Sequence, residues 1–219
     1  MLKARNKYGE YFLPREIEYT YTAQTILNGG VHEESTIAFL ASLEGNIVHA
    51  GAGFGDFLPA LKSFDRVFAF EPNELMYECA RKTIEANGLD NIVLYPFALS
   101  NQNDMGLLSH IDEQGREMGP RSEISAKGTK IVRMVRLDSI VSEKISVIHL
   151  DLEGHEFAAL EGARDIIERD RPVIVLEIDT RAVDYNNFML GIGYSPTKQL
   201  IYNSNEQMVF VNTVYSPLK

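Results

Sequence analysis

The most informative stretch of this chain is His49-Ala50-Gly51-Ala52-Gly53-Phe54-Gly55-Asp56. It follows a short apolar run at residues 47–50 and precedes residues 56–63, whose pattern predicts a helix. Glycines between a strand and a helix adopt backbone angles that other residues avoid, and they let a ligand approach the main chain. The start of a helix there would add a partial positive charge, which suits a carboxylate or a phosphate. The stretch therefore predicts a ligand-binding turn.

Apolar runs and amphipathic segments alternate on either side of this turn. Strands are predicted at residues 47–50, 67–70, 91–97, 131–137, 146–150, 172–178 and 207–211, and helices at residues 33–43, 56–63, 74–87, 156–169 and 182–190. Such alternation predicts an α/β fold, a mostly parallel sheet with helices on both faces. Ligands bind these sheets at the carboxyl ends of the strands, so the residues that follow each strand are the candidates for a site.

Two regions differ from this alternating pattern. Residues 1–32 carry five aromatic side chains without clean periodicity, so we predict an N-terminal extension or lid on a main domain of residues 33–219. Residues 101–128 are polar and rich in Gly, Ser and Glu, which is typical of a long loop or a hairpin excursion.

Composition narrows the class of protein. The chain has 219 residues, 45% of them hydrophobic, which suits one domain with an ordinary core. A formal net charge of -10 repels phosphate backbones, so we expect a small molecule rather than a nucleic acid as partner. Cys79 is the single cysteine and cannot form an internal disulfide. Since there is neither an apolar run that could span a membrane nor a signal peptide, we expect a cytoplasmic protein.

A carboxylate at the second strand indicates what the glycine turn binds. Glu71 lies twenty positions after Gly51, where a carboxylate can accept both ribose hydroxyls of an adenosine ligand. The dinucleotide fingerprint needs its third glycine three positions after the second. That position is Asp56, and Gly55 falls one residue early. The spacing therefore argues against a nicotinamide-dependent oxidoreductase, although this remains the alternative enzyme class. The simplest alternative is a structural turn that binds no ligand.

Several blocks of sequence, in order, resemble the FkbM family of methyltransferases. The blocks are Val48-His-Ala-Gly-Ala-Gly-Phe-Gly-Asp56, Phe68-Ala-Phe-Glu-Pro-Asn73, Phe97-Ala-Leu-Ser100, Arg136-Leu-Asp138, Ile148-His-Leu-Asp-Leu-Glu-Gly-His-Glu156 with Leu160-Glu-Gly-Ala163, and Arg171-Pro172 through Glu177. The Asp-x-Glu-Gly-x-Glu block is the most specific. The family usually has Asp where this chain has His49. This difference argues against a side-chain contact from His49 to the cofactor's amino group, and main-chain contacts could take its place.

The resemblance implies the Rossmann-like fold of class I methyltransferases, with a seven-stranded, mostly parallel sheet in which one late strand runs antiparallel. It implies S-adenosylmethionine as the methyl donor and a hydroxyl of a small molecule or sugar as the acceptor. Gly51 and Gly53 would line the methionine portion and Glu71 the ribose. Asn73, Phe97 and Ala98 would lie near the adenine. With the candidates from the residues themselves added, the predicted cofactor contacts are His49, Gly51, Ala52, Gly53, Asp56, Glu71, Pro72, Asn73, Phe97, Ala98 and Asp151.

The acidic block after strand 146–150 supplies the candidate catalytic residues. Methyl transfer to a hydroxyl requires an aligned acceptor and removal of its proton. Glu153 and His155 are the predicted bases. An ordinary histidine titrates near neutrality, whereas the pKa of Glu153 would have to be raised by burial. Asp151 is predicted to contact the cofactor's amine or to orient the acceptor.

Other interpretations of the acidic residues stay open. Asp151 and Glu177 are expected to end adjacent strands, with Glu153 nearby, where hard oxygen ligands could hold Mg²⁺. The simpler interpretation is helix capping, which we expect of Glu156. The departure at His49 also leaves room for a protein that keeps the fold only for binding. Glu33 is expected either to reach the acceptor site or to lie in a solvated first turn.

Overall fold

The computed structural model describes residues 1–177, 182–204 and 208–218. The strands are β1 Leu2–Arg5, β2 Glu10–Leu13, β3 Asn46–Ala50, β4 Arg66–Phe70, β5 Ile92–Tyr95, β6 Ala98–Leu99, β7 Asp104–Ser109, β8 Glu123–Ile124, β9 Lys130–Val135, β10 Val147–Leu150, β11 Val173–Glu177, β12 Tyr194–Ser204 and β13 Met208–Pro217. The helices are α1 Tyr21–Leu27, α2 Glu34–Leu40, α3 Glu74–Asn87, α4 Glu156–Glu161, α5 Arg164–Asp170 and α6 Ala182–Gly191. The predicted strand ends at Ile178 and Gln207 lie outside the described residues.

Seven strands form the central sheet in the order β12-β13-β11-β10-β3-β4-β5. The strands from β11 to β5 are parallel, and β13 runs antiparallel to both of its neighbours. This confirms the predicted seven-stranded, mostly parallel sheet with one late antiparallel strand. The parallel strands are mostly apolar because both faces of the sheet are covered, and His49 and His149 are the buried polar exceptions within them.

Alternate residues of the parallel strands enter two hydrophobic cores. Val48 and Ile148 pack on one face, in a core that also holds Ile166 of α5 and Tyr185 of α6. Ile47, Val67 and Val147 pack on the other face, against Ile37 of α2 and Ala80 of α3. Helices therefore cover both faces, as predicted. No helix in the described part of the chain is long and apolar enough to cross a bilayer.

Helix α3 matches its prediction at both ends. Asn73 caps the amino end by accepting a hydrogen bond from the main-chain N–H of Leu75 at 3.1 Å. Gly88 ends the helix in the left-handed conformation that glycine tolerates.

Two helix predictions were wrong. Residues 56–63 form only the short 3₁₀ turn Leu58–Leu61, where Pro59 has no N–H to donate to an α-helical hydrogen bond. Residues 156–169 form two helices instead of one, α4 and α5. The two helices are separated at Gly162, where a Cβ atom would lie 1.9 Å from the carbonyl oxygen of Ser100. The main chain at Ser100 therefore packs directly against the main chain between the two helices.

The two segments outside the alternating pattern both pack on the main sheet assembly. Strands β1 and β2 form a hairpin that lies on α3, where Phe12 N–H donates to Thr83 Oγ1 at 3.1 Å. The polar region 101–128 forms β7 and β8, which join β6 and β9 in a second sheet of four strands. The excursion is thus a hairpin-bearing subdomain that folds back toward the carboxyl ends of the central strands.

Candidate active site

The glycine turn follows β3 directly and is held by the neighbouring strands. The main-chain N–H groups of Gly51 and Ala52 both donate to the carbonyl oxygen of Phe70, at 3.1 and 3.0 Å. Gly51 has a φ of 86°, and a Cβ atom on it would lie 1.9 Å from the carbonyl oxygen of Asp151. The predicted helix after the turn is absent, so no helix dipole lies behind the turn.

Glu71 lies beside this turn with both carboxylate oxygens fixed. One oxygen accepts from the N–H of Gly53 at 2.8 Å and the other from the N–H of Asn73 at 2.7 Å. Burial raises the pKa of Glu71 to about 8, against the opposing effect of these two N–H donors. Asp56 is buried nearby, and its pKa is raised by burial to about 7. Each Glu71 oxygen keeps lone-pair capacity for a further donor.

A narrow slot connects Glu71 with the next strands of the sheet. Gly51, Phe70, Glu71, Pro72, Phe97, Ala98, Leu99, Asp151, Leu152 and His155 form its base, and Leu108, Pro120, Ser122 and Ile124 of the excursion cover it. Its volume is about 30 Å³, which is room for one water molecule. The structure therefore brings the predicted contacts at Glu71, Pro72, Phe97 and Ala98 onto one cavity, which is closed by the excursion.

The cover over the slot is fastened from two sides. The side-chain amide of Asn73 donates to Glu117 Oε1 at 2.8 Å and to Ser122 Oγ at 3.1 Å. From the N-terminal segment, the hydroxyl of Tyr19 donates to the carbonyl oxygen of Glu117 at 2.9 Å, and Arg116 lies over the Tyr19 ring at 4.7 Å. No pattern in the sequence indicates these contacts, because they join residues that are 44 to 98 positions apart.

Three carboxylates lie together at the ends of β10 and β11. Asp151, Glu153 and Glu177 each place an oxygen within 4.8 Å of the others, because β10 and β11 are neighbours in register. Burial, and next the charge of Glu177, raise the pKa of Asp151 well above its ordinary value. Burial and Glu177 also raise the pKa of Glu153 to about 7.

Glu33 is a fourth carboxylate at this place. It is buried, and it accepts a hydrogen bond from Asn212 Nδ2 at 2.6 Å. Its charge contributes to the raised pKa of Asp151. The solvated-turn interpretation of Glu33 is therefore wrong. Its main chain adopts a φ of 48°, a conformation that nothing in its sequence context indicates.

The rest of the acidic block is divided between two tasks. Glu156 accepts the main-chain N–H groups of Leu152 and Gly154, at 2.8 and 3.2 Å, and the hydroxyl of Tyr185 at 2.6 Å. It thus holds the turn before α4, in keeping with the structural role expected of it. His155 lies on the wall of the slot, where its Nε2 is 3.0 Å from Ser100 Oγ.

His49 lies against a second histidine. Its Nδ1 is 2.8 Å from Nδ1 of His149, and both rings stack on Phe57 at 5.2 Å between centroids. Burial and the neighbouring His149 lower the pKa of His49, and burial lowers that of His149 to about 4. The side chain of His49 is thus engaged in the core and does not line the slot, and its strand is paired with β4 on one side and β10 on the other. His149 is buried, as its strand pattern predicts.

Comparisons with known proteins agree with this architecture. A family model described as the methyltransferase FkbM domain matches residues 49–198. The chain therefore belongs to the FkbM methyltransferase family, and its fold is that of the Rossmann-like class I methyltransferases. No curated protein sequence matches the chain.

Solved structures share the fold at low sequence identity. The methyltransferase FkbM from Methylobacillus flagellatus KT superposes with a TM-score of 0.60 at 18% identity, over 88% of this chain and 54% of that one. This chain thus spans about half the length of that relative. An rRNA methylase from Streptococcus thermophilus gives 0.54 at 17% identity, over 84% and 95%. Magnesium protoporphyrin IX methyltransferase from Synechocystis PCC 6803, with bound S-adenosylmethionine, gives 0.54 at 13%, over 84% and 77%.

Proposed function

We propose that this protein transfers a methyl group from S-adenosylmethionine to a hydroxyl of a small molecule or sugar. The observation that carries the proposal is the position of Glu71. It lies beside the glycine turn, at one end of an apolar slot, with the Asp151 carboxylate on the same cavity wall. Family membership supports methyl transfer, and the net charge of -10 favours a small acceptor over a nucleic acid.

The residues of the turn fit the proposed donor. S-adenosylmethionine, when bound, supplies an electrophilic methyl group on a cationic sulfur. Glu71 would accept the ribose hydroxyls, since each of its oxygens takes only one main-chain N–H donor and keeps a lone pair for another. Asp151 lines the same slot as Glu71, where an ionised carboxylate would attract the cofactor's ammonium group.

Glu153 is the base that we propose for the acceptor hydroxyl. Its pKa is raised to about 7, so near neutrality it is present in both protonation states and can take up a proton. The carboxylates beside it keep the acceptor side of the site negative. His155, the other predicted base, lies on the slot wall beside Ser100 instead.

As the alternative role of Asp151, in place of the contact to the ammonium group, we propose that Asp151 and Glu177 hold Mg²⁺. The donor set fits, since hard carboxylate oxygens from adjacent strands converge within 4.8 Å. The charge of Glu177 raises the pKa of Asp151, which is the mutual repulsion that a divalent cation relieves. The cation would supply positive charge that favours ionisation of an acceptor hydroxyl.

We place the protein in a reducing compartment, the cytoplasm. Cys79 is buried as a free thiol, and burial raises its pKa to about 11. A thiol in that state suits a structural role in the core rather than covalent chemistry.

Calorimetry with S-adenosylhomocysteine tests the proposed donor. We expect binding by the natural chain and a loss of roughly 10- to 100-fold in Glu71→Gln, since hydrogen bonds to a charged acceptor are removed. Glu74→Gln, in an exposed side chain three residues away, is the matched control and should bind as the natural chain does. Absence of binding by the natural chain at millimolar concentration would contradict the proposal.

A further inference from the structure

His155 differs from the other polar side chains on the wall of the slot. Glu71 is fixed by two main-chain N–H groups. Ser122 donates to the carbonyl oxygen of Gly119 at 2.6 Å and also accepts from Asn73. Asp151 lies with Glu177 in the carboxylate cluster. Among the described side chains on these walls, His155 is the one polar group that belongs neither to Glu71 and its donors, nor to the carboxylate cluster, nor to the contacts that fasten the cover.

The ring of His155 is held by a buried hydroxyl. Its Nε2 lies 3.0 Å from Ser100 Oγ, and Ser100 is only 2% exposed. Ser100 is itself fixed, because its N–H donates to the carbonyl oxygen of Val135 at 2.9 Å and its carbonyl oxygen packs against Gly162. Nδ1 of His155 makes no hydrogen bond with any residue in the described part of the chain. It is therefore the ring nitrogen available to a ligand.

The position of Glu71 fixes which part of a nucleoside would meet this nitrogen. If Glu71 accepts the ribose hydroxyls, the base must leave the ribose through the remainder of the same slot. The walls there are apolar and include the rings of Phe97 and Pro72, which suit the faces of a purine. A purine placed among them finds a polar edge contact at His155.

We propose that His155 recognises the adenine base of the cofactor by accepting a hydrogen bond at Nδ1 from the 6-amino group. Ser100 is the positioning residue: its Oγ accepts the Nε2–H of His155, which leaves Nδ1 without a proton. Burial lowers the pKa of His155, which favours the neutral ring that this arrangement requires. The inference rests on the proposed function, and it assigns His155 to cofactor selection in place of proton removal from the acceptor.

The test compares two ligands in each variant by calorimetry. One is S-adenosylhomocysteine, and the other is its purine analogue with hydrogen in place of the 6-amino group. The measured quantity is the ratio of the two dissociation constants. A loss of packing weakens both ligands together and leaves the ratio unchanged, whereas loss of the amino contact changes it.

We expect the natural chain to bind the purine analogue about tenfold more weakly, the effect of one hydrogen bond between neutral groups. The ratio should fall to near one in His155→Phe, which keeps a ring of similar size. It should fall part of the way in Ser100→Ala and return in Ser100→Thr, which restores the hydroxyl. Ser100→Ala removes a single oxygen, so it gives the answer if His155→Phe does not fold.

Two results would overturn the inference. One is a ratio in the Ser100→Ala or His155→Phe protein equal to that of the natural chain. The other is an unchanged dissociation constant for S-adenosylhomocysteine in His155→Phe together with loss of turnover at saturating donor, which would assign His155 as the base. Failure of the proposed function gives a different result, since the natural chain would then bind neither ligand.

Discussion

Nδ1 of His49 and Nδ1 of His149 lie 2.8 Å apart, in the same register of the adjacent strands β3 and β10. Because burial lowers the pKa of both rings, the pair is neutral near pH 7, and one ring donates its Nδ1 proton to the other. The residue at which this chain departs from the usual family pattern is therefore matched by a partner on the neighbouring strand.

The two histidines should contribute to the free energy of unfolding as a pair, so the losses from replacing each of them should not add. In His49→Leu or His149→Leu the remaining ring keeps a buried Nδ1 without its partner, and we expect a loss of about 1–3 kcal/mol in the free energy of unfolding. The double variant leaves no orphaned group, so its loss should be smaller than the sum of the two single losses. Urea unfolding at pH 7 measures all three. Strict additivity would show that the two rings do not interact.

Cofactor binding should release a proton near neutrality. The pKa of Glu71 is about 8 in the free protein, so at pH 7 most molecules carry a protonated carboxyl group, whereas ribose hydroxyls bind best to the ionised form. The affinity for S-adenosylhomocysteine should therefore rise between pH 6 and 8, by up to about tenfold per pH unit, and level off above pH 8.

Calorimetry at pH 7 in buffers of different ionisation enthalpy measures the released proton directly. The release should disappear in Glu71→Gln. Proton release that persists in that variant would assign the titration to another group.

Gly51 should tolerate no side chain. A Cβ atom there meets the carbonyl oxygen of Asp151 at 1.9 Å, and this main-chain atom cannot move without displacing the strand end. We expect Gly51→Ala to lose about 4 kcal/mol or more of stability, together with cofactor binding. Gly115→Ala is the matched control, with a φ of 77° and no atom within 4 Å. It should lose only the conformational cost of about 1–2 kcal/mol. Equal losses in urea unfolding would contradict the close contact.

The carboxylate cluster should bind one divalent cation. Mn²⁺ is a magnetic substitute for Mg²⁺, and electron paramagnetic resonance of a Mn²⁺ titration should detect one site that is lost in Asp151→Asn and in Glu177→Gln. Asp90→Asn changes an exposed carboxylate and is the control. Removal of metal with EDTA should lower turnover, and Mg²⁺ should restore it. Retention of Mn²⁺ binding in both cluster variants would place the cation elsewhere.

The cover over the slot should control the exchange of the cofactor. The closed slot holds about 30 Å³, so the segment around Glu117 must move before a nucleoside enters. Tyr19→Ala removes both the hydroxyl contact to Glu117 and the ring under Arg116. We expect faster association and dissociation of S-adenosylhomocysteine by stopped-flow fluorescence. Tyr19→Phe keeps the ring and should lie in between. Unchanged rates in Tyr19→Ala would show that the N-terminal segment does not fasten the cover.

Residues 74–87 show which parts of the fold were predictable. Their helix begins and ends as the pattern predicts, because its cap at Asn73 and its stop at Gly88 are local. Prediction failed at residues 56–63 and at Gly162, where Pro59 and the main chain of Ser100 decide the conformation. The proximity of the glycine turn and Glu71 was predictable from the sequence, since Gly51 and Glu71 each follow a strand of one parallel sheet.

The sequence by itself thus determined the five parallel strands β3, β4, β5, β10 and β11, the glycine turn and the carboxylate at Glu71, because hydrophobic period and strand ends are local properties. The edge strand β12 was not predicted, and the predicted strand 131–137 forms β9 in the second sheet. Only the tertiary structure decided that Glu33 joins the carboxylates, that His155 binds Ser100 and that His49 meets His149. Ser100 and His155 are 55 residues apart, His49 and His149 are 100 apart, and Glu33 is 179 residues from its hydrogen-bond partner Asn212. Which side chains meet at such distances depends on strand register and packing, and neither is encoded in any single segment of the chain.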